Sequence, residues 1–400
     1  MHRTLICCAL ALAAMSTSAQ PSLDDARKLA HDAVIVDTHI DAPEMLMDGW
    51  KDLGVDAKGR EFDYPKARAG GLDVAFMSIY TSPGQDADGR AWQVANQMID
   101  SVEALVQRYP EKFALLRSPR QVDSLRVGER VLLPLGMENG APIVDDLSNL
   151  QFFFDRGVRY ITLAHSAANR IADSSYALER QWHGLSPFGK QVVAEMNRLG
   201  IMVDVSHLSD ESASAAIALS TVPVIASHSA FRHFTPDFER NISDALAKAI
   251  ADKGGVVQIP FGTPFVDPKA AADTQAHFRA INAFNQRNAE LKAAGKPMED
   301  RNAFDKAWGE SHPPRQTGID AVLDQVDYAV KLIGIDHVGI GSDFDGVDGA
   351  LPDGLRSVAD FPNLVAGLQS RGYADADIRK ILGGNLLRVW TAIEAGAQAR

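Results

Sequence analysis

Eight short apolar runs rich in β-branched residues recur along this chain, and the stretches between them carry helical periodicity. They are VIVDTHI (34–40), DVAFMSIY (73–80), RVLLPLGME (130–138), VRYITLAH (158–165), IMVDVSH (201–207), VPVIASH (222–228), GVVQIPF (255–261) and HVGIGSDF (337–344). Continuous rather than alternating apolar character marks strands covered on both faces. A typical intervening segment is SPFGKQVVAEMNRLG, with Ser186 placed to cap a helix, Pro187 in its first turn and Gly200 just past its end. Strand then helix, eight times over, predicts an α/β fold of the (β/α)8 TIM type. With no internal sequence repeat or low-complexity tract, residues 20–400 read as one domain. Residues 263–317 depart from the rhythm: they are long, polar and partly helical, and are expected to form a lid-like helical insertion after strand 7.

The ends of these runs are chemically conspicuous. Five carry an ionisable residue at or next to their end, namely His39, Glu138, His165, His207 or His228, and a sixth carries Asp343 near its end. In a parallel barrel every strand opens its C-terminal end on the same face, so residues hundreds of positions apart converge there. His39 and Asp41 lie two apart and share a face of an extended chain. Imidazole and carboxylate suit zinc and related divalent ions. His39, Asp41, His207 and His228 supply three nitrogens and a carboxylate, and Glu138 is the natural bridge to a second ion. Taken singly, each of these is as well explained by a polar loop or a hydrogen-bonded core histidine. His31, His183, His233, His277 and His312 lack strand-end placement, and His337 precedes its strand. Asp37 reads as a hydrogen-bonding partner behind the ligands, while Glu44 and Asp345 stay open.

The first nineteen residues stand apart. Arg3, an apolar run from Leu5 to Ala14 and small residues up to Ala19 describe a secretory signal peptide, too short for a membrane span. Cleavage near Ala19 predicts an exported chain, periplasmic or extracellular, without stable membrane insertion. Both cysteines, Cys7 and Cys8, fall in that segment, so the remainder has no disulfide, thiol nucleophile or cysteine-bound zinc. A net charge of −12 argues against nucleic acid as a partner.

The motifs VDTHIDAP, GMENG, RYITLAHS, VDVSHLS, IASHSA and GIGSDFDGV, in this order and followed by ILGGNLLRVW, resemble the renal (membrane) dipeptidase family of zinc metallopeptidases. That resemblance implies a (β/α)8 barrel with two Zn2+ ions, His39 and Asp41 on one, His207 and His228 on the other, and Glu138 bridging. It implies that His165 polarises the scissile carbonyl, that Arg240 receives the substrate carboxylate, and that Asp343 handles the proton near the substrate amine. It implies a dipeptide substrate, hydrolysis by a metal-bridging hydroxide, and a homodimer. Residues 263–317 have no clear counterpart in the family pattern, which leaves open an amidohydrolase acting on N-acyl amino acids or cyclic amides such as β-lactams. A retained barrel serving as a binding protein is the remaining alternative.

Overall fold

A computed structural model describes residues 22–398 apart from 48, 178 and 314, so the expected signal segment lies outside the described residues. Ten strands form one sheet: β1 (Ile35–Ile40), β2 (Leu72–Tyr80), β3 (Phe113–Leu115), β4 (Val131–Leu133), β5 (Leu135–Glu138), β6 (Val158–Thr162), β7 (Met202–Asp204), β8 (Ile225–Ala226), β9 (Val256–Ile259) and β10 (Val338–Ile340). Eight of them run in parallel order β1-β2-β5-β6-β7-β8-β9-β10. The ends meet where Asp343 N donates to His39 O at 3.0 Å and Asp41 N donates to Phe344 O at 2.9 Å, closing the barrel.

Two strands depart from the sequence pattern. The run 130–138 is divided at Pro134, which has no N–H to give a ladder. Its two halves pair with different levels of β2, Val74 facing Leu132 and Met77 facing Leu135, while Met77 N donates to the Pro134 carbonyl at 2.9 Å. β3 adds to β4 outside the barrel order; at three residues it is too short to show a period.

Alternation along the strands sorts side chains to two cores. Val36, Val74, Phe76, Leu132, Tyr160, Met202, Ile225 and Val256 fill the interior, with Leu386, Val389, Trp390 and Ile393 of the C-terminal helix Asn385–Gln398 packed into the same cluster. Their chain neighbours, such as Ala75, Ile161, Val203 and Val257, belong to the outer core shared with the surrounding helices. Inside, rings stack upward: Trp390 to Phe76 at 5.4 Å, Phe76 to Tyr160 at 5.5 Å, Tyr160 to His39 at 6.4 Å. Gly136 makes this possible, because a Cβ there would lie 2.0 Å from the Tyr160 ring.

After β9 the chain runs through helices Thr263–Val266, Pro268–Ala293 and Arg301–Ser311, then re-enters the core with helix Asp320–Ile333. Asp267 caps the longest of the three, its Oδ1 accepting from Lys269 N and Ala270 N. Among the described residues no helix is long and apolar enough to cross a membrane.

Candidate metal centre

The expected residues gather at the C-terminal mouth of the barrel. His39 lies in β1, Asp41 directly follows it and Glu138 ends β5. The other strands stop earlier than the sequence suggests, at Thr162, Asp204, Ala226 and Ile340, leaving His165, His207, His228 and Asp343 on the loops just beyond. Beyond the ladder these side chains are positioned by the loop backbone rather than by strand alternation. His207 (φ 65°) and Asp343 (φ 66°) adopt the left-handed region, which costs a residue with a Cβ on the order of 1 kcal/mol. Backbone bonds hold both in place, Ser175 N to His207 O at 2.8 Å and Gly346 N to Asp343 O at 3.2 Å.

Glu138 divides its oxygens between two groups of bases. Oε2 lies 3.4 Å from His39 Nε2, and that nitrogen is 3.5 Å from Asp41 Oδ2 and 3.9 Å from Asp343 Oδ1. Oε1 lies 3.2 Å from His207 Nε2, 3.3 Å from His228 Nε2 and 3.4 Å from His165 Nε2. Two sets able to hold a metal ion therefore share this carboxylate: His39, Asp41 and Glu138, and Glu138, His165 and His207; a third joins His39, His228 and Asp343.

The chemistry of the donors fits divalent cations. His39 Nε2 is buried without a hydrogen-bond partner, while Tyr160 Oη holds its Nδ1 at 2.7 Å. His207 Nε2 and His228 Nε2 stand 2.8 Å apart. Arg240 Nη2 donates to His207 Nε2 at 3.0 Å, and since a guanidinium only donates, that nitrogen presents its lone pair. Burial, with Arg240 and His165 adding to it, holds the His207 imidazole well below its usual range; burial, with His39 and Arg240, does the same for His228. Both are thus neutral and ready to coordinate. Burial raises the Asp41 carboxyl well above normal, and the Glu138 and Asp343 carboxylates push it further. Burial opposes charging His39, but the Glu138 and Asp41 carboxylates outweigh it and lift the imidazole to about 10. These are the marks of a buried cluster short of positive charge.

In front of Glu138 opens a cavity of about 370 Å3, within the range of small-molecule sites. The inserted helix contributes Thr274 and Phe278 to its wall, and Glu44 and Asp348 add carboxylates. Phe278 stacks on Tyr176 at 4.0 Å, and this ring pair also borders an adjoining cavity of about 230 Å3 lined by Arg240, Arg180 and Gln275. Arg240 is therefore close to the centre but differently placed from the other expected residues. It is 3% exposed, donates to Ser229 Oγ and His228 O, and leaves Nε without a partner. Asp37 Oδ1 accepts from the backbone N–H groups of His39 and Ser342, so it braces β1 against the segment after β10. Asp345 turns away, accepting from Glu61 N and Phe62 N.

The sequence did not single out Tyr160, Tyr176, Phe278, Asp204 or Ser227. Tyr160 sat inside an apolar run, and only the alternation that sends it inward marks it. Asp204 and Ser227 each precede an expected ligand by a few residues, at Asp204-Val205-Ser206-His207 and Ser227-His228, which is the one local signal available.

Residues 23–400 match the family model described as membrane dipeptidase, peptidase family M19. An uncharacterized dipeptidase of Schizosaccharomyces pombe is 28% identical over 376 residues, spanning 90% of this chain and 81% of that protein. Dipeptidase 3 of Mus musculus is 28% identical over 380 residues, spanning 93% of this chain and 66% of the relative's length. The crystal structure of the probable dipeptidase PvdM from Pseudomonas aeruginosa superposes with a TM-score of 0.79 at 28% identity, covering 94% of this chain and 99% of the other.

Proposed function

Since the chain belongs to the membrane dipeptidase family of metallopeptidases, and is a metal-dependent hydrolase of peptide bonds, we propose that the mouth of its barrel holds two divalent ions, zinc by the family resemblance, and hydrolyses dipeptides. The observation that carries this is the division of Glu138, one oxygen toward His39 and Asp41, the other toward His207 and His228. In this reading His39 and Asp41 would hold one ion, His207 and His228 would hold the other, and Glu138 would serve both. Bound ions supply Lewis acidity and lower the pKa of a bound water toward about 7.

The chain's own residues do the rest. His165, whose Nε2 already points to the Glu138 oxygen at 3.4 Å, is placed to donate to the oxyanion that develops as water adds to the peptide carbonyl. Its ring is held by the edge of Tyr80 at a centroid distance of 4.7 Å. Asp343 takes the proton that the attacking water gives up and returns it to the leaving nitrogen as the C–N bond breaks. Burial and the Glu138 carboxylate raise the Asp343 carboxyl, a direction that favours proton return. Arg240 would receive the substrate carboxylate through its unpartnered Nε, since Nη1 and Nη2 already donate to Ser229 Oγ, His207 Nε2 and His228 O. Carboxylates at Glu44 and Asp348 face the substrate amine across the cavity.

A cavity wall built from Thr274 and Phe278 of the insertion favours, as a second reading, a substrate with a blocked amine. Metal content measured together with turnover on L-L, L-D and glycyl dipeptides and on N-acyl amino acids separates the two. Two equivalents of ion with preference for free dipeptides is the expected result. A single equivalent refutes the two-ion reading, and preference for blocked amines refutes the dipeptidase reading.

A further inference from the structure

Behind His228 lies a hydrogen-bond chain whose direction is fixed by the number of protons it contains. Asp204, at the end of β7, is fully buried and accepts four hydrogen bonds. Its Oδ1 takes the backbone N–H groups of Ser206 (3.1 Å) and Ser227 (2.8 Å); its Oδ2 takes the hydroxyls of Thr162 (2.5 Å) and Ser227 (2.6 Å). The Ser227 hydroxyl also lies 2.7 Å from His228 Nδ1. A hydroxyl carries one proton, and a carboxylate carries none to offer. Were the Ser227 proton turned to His228, oxygen lone pairs of Ser227 and Asp204 would oppose each other at 2.6 Å in a buried site. The proton therefore goes to Asp204, and Ser227 accepts from His228 Nδ1–H. His228 Nε2 then meets His207 Nε2 at 2.8 Å with no proton between them; this contact of two neutral nitrogens costs less than opposing a carboxylate, and a cation between them would relieve it.

We propose that Asp204 and Ser227 are positioning residues that lock His228 into the Nδ1–H tautomer, so that its Nε2 lone pair, 3.3 Å from Glu138 Oε1, faces the cation site. The inference rests on the reading of His228 as a ligand. Second-sphere partners of this kind orient ligating histidines, and their loss weakens metal binding about 10- to 100-fold.

The geometry supplies a reversing substitution. In Asp204→Asn the carboxamide oxygen must stay where two backbone N–H groups point, which places its NH2 against Ser227 and Thr162. The amide then donates to Ser227, Ser227 donates to His228 Nδ1, and the imidazole proton moves to Nε2, where it blocks coordination.

The test uses the full chain stripped of metal and labelled with 15N, with long-range 1H–15N spectra reporting the His228 tautomer, and zinc affinity measured by chelator competition. The parent is expected to show Nδ1–H, Asp204→Asn to show Nε2–H with one zinc bound about 10- to 100-fold more weakly, and Ser227→Ala to show mixed tautomers. Ser227→Ala also covers the case in which Asp204→Asn does not fold. Nε2–H in the metal-free parent, or Nδ1–H with unchanged zinc affinity in either variant, overturns the proposal. A parent that shows Nδ1–H and binds zinc yet hydrolyses no dipeptide refutes the functional reading alone.

Discussion

Replacing Gly346 by alanine tests whether the carboxylates at the mouth of the barrel are held for a metal or merely for packing. A Cβ at this position would lie 2.2 Å from Asp41 Oδ2 and 2.6 Å from Asp343 Oδ1. Ordinary carbon–oxygen contact needs roughly 1 Å more than the shorter of these, so Asp41 must withdraw by about that distance. The atoms displaced are side-chain ends, and φ at Gly346 is not in the left-handed region, so the backbone can accept alanine. Overpacking costs about 1–3 kcal/mol and the stiffer unfolded chain returns about 0.4–1 kcal/mol, leaving a net loss of at most about 2–3 kcal/mol. A misplacement of about 1 Å at a reacting centre, by contrast, costs on the order of 100-fold in rate. Gly346→Ala should therefore unfold within a few degrees of the parent, while kcat/KM falls about 100-fold and ion affinity drops with it. Thermal unfolding of the metal-free proteins, chelator competition and dipeptide turnover provide the three readings. Parental affinity and turnover in a folded Gly346→Ala protein would refute the argument that Asp41 and Asp343 serve the chemistry.

The remaining expectations concern single groups. Glu138→Gln should lose ion content and turnover together, by at least about 100-fold, as measured by elemental analysis and initial rates. His165→Ala should keep its metal but lose about 100- to 1000-fold in kcat; a parental kcat would remove His165 from the oxyanion role. Phe278→Ala, which opens the wall between the two cavities, should shift the ratio of kcat/KM between small and bulky dipeptides by about tenfold, read from a substrate panel. Burial raises the Glu61 carboxyl to about 7, and the neighbouring Asp345 carboxylate adds to this. The folded state thus keeps a proton that the unfolded chain has released above its usual 4.5, so stability falls as pH rises between about 4.5 and 7. Denaturant melts across that range should show a shallower slope for Glu61→Gln, and an unchanged slope would rule this carboxyl out.

What the sequence disclosed is the part of the site written as strand ends. His39, Asp41, Glu138, His207 and His228 were legible because a polar residue closing an apolar run is a local event, and parallel topology then requires the ends to meet. Where each strand stops was not legible. His165 and His207 prolong apolar runs, yet the chain leaves the ladder three residues before each, and the left-handed turn at His207 (φ 65°) has no signature in the residue type. The hydroxyls behind the imidazoles were hidden for a different reason: Ser227 and Tyr160 acquire meaning only from a partner far away in sequence, such as Asp204 or His39. Phe278 was beyond reach altogether, since nothing in a polar helical insertion tells which turn will lie over the mouth of a barrel.

The ring column that begins at Trp390 ties the helix Asn385–Gln398 to the candidate metal centre. The base of the cylinder stays open until Leu386, Val389, Trp390 and Ile393 pack into it. Until then Phe76 and Tyr160 have no floor, and the imidazole resting on Tyr160 has no fixed height. Removing the Trp390 indole alone would forfeit about 3–5 kcal/mol. A nick within the helix Asn385–Gln398 therefore loosens the candidate metal centre from below.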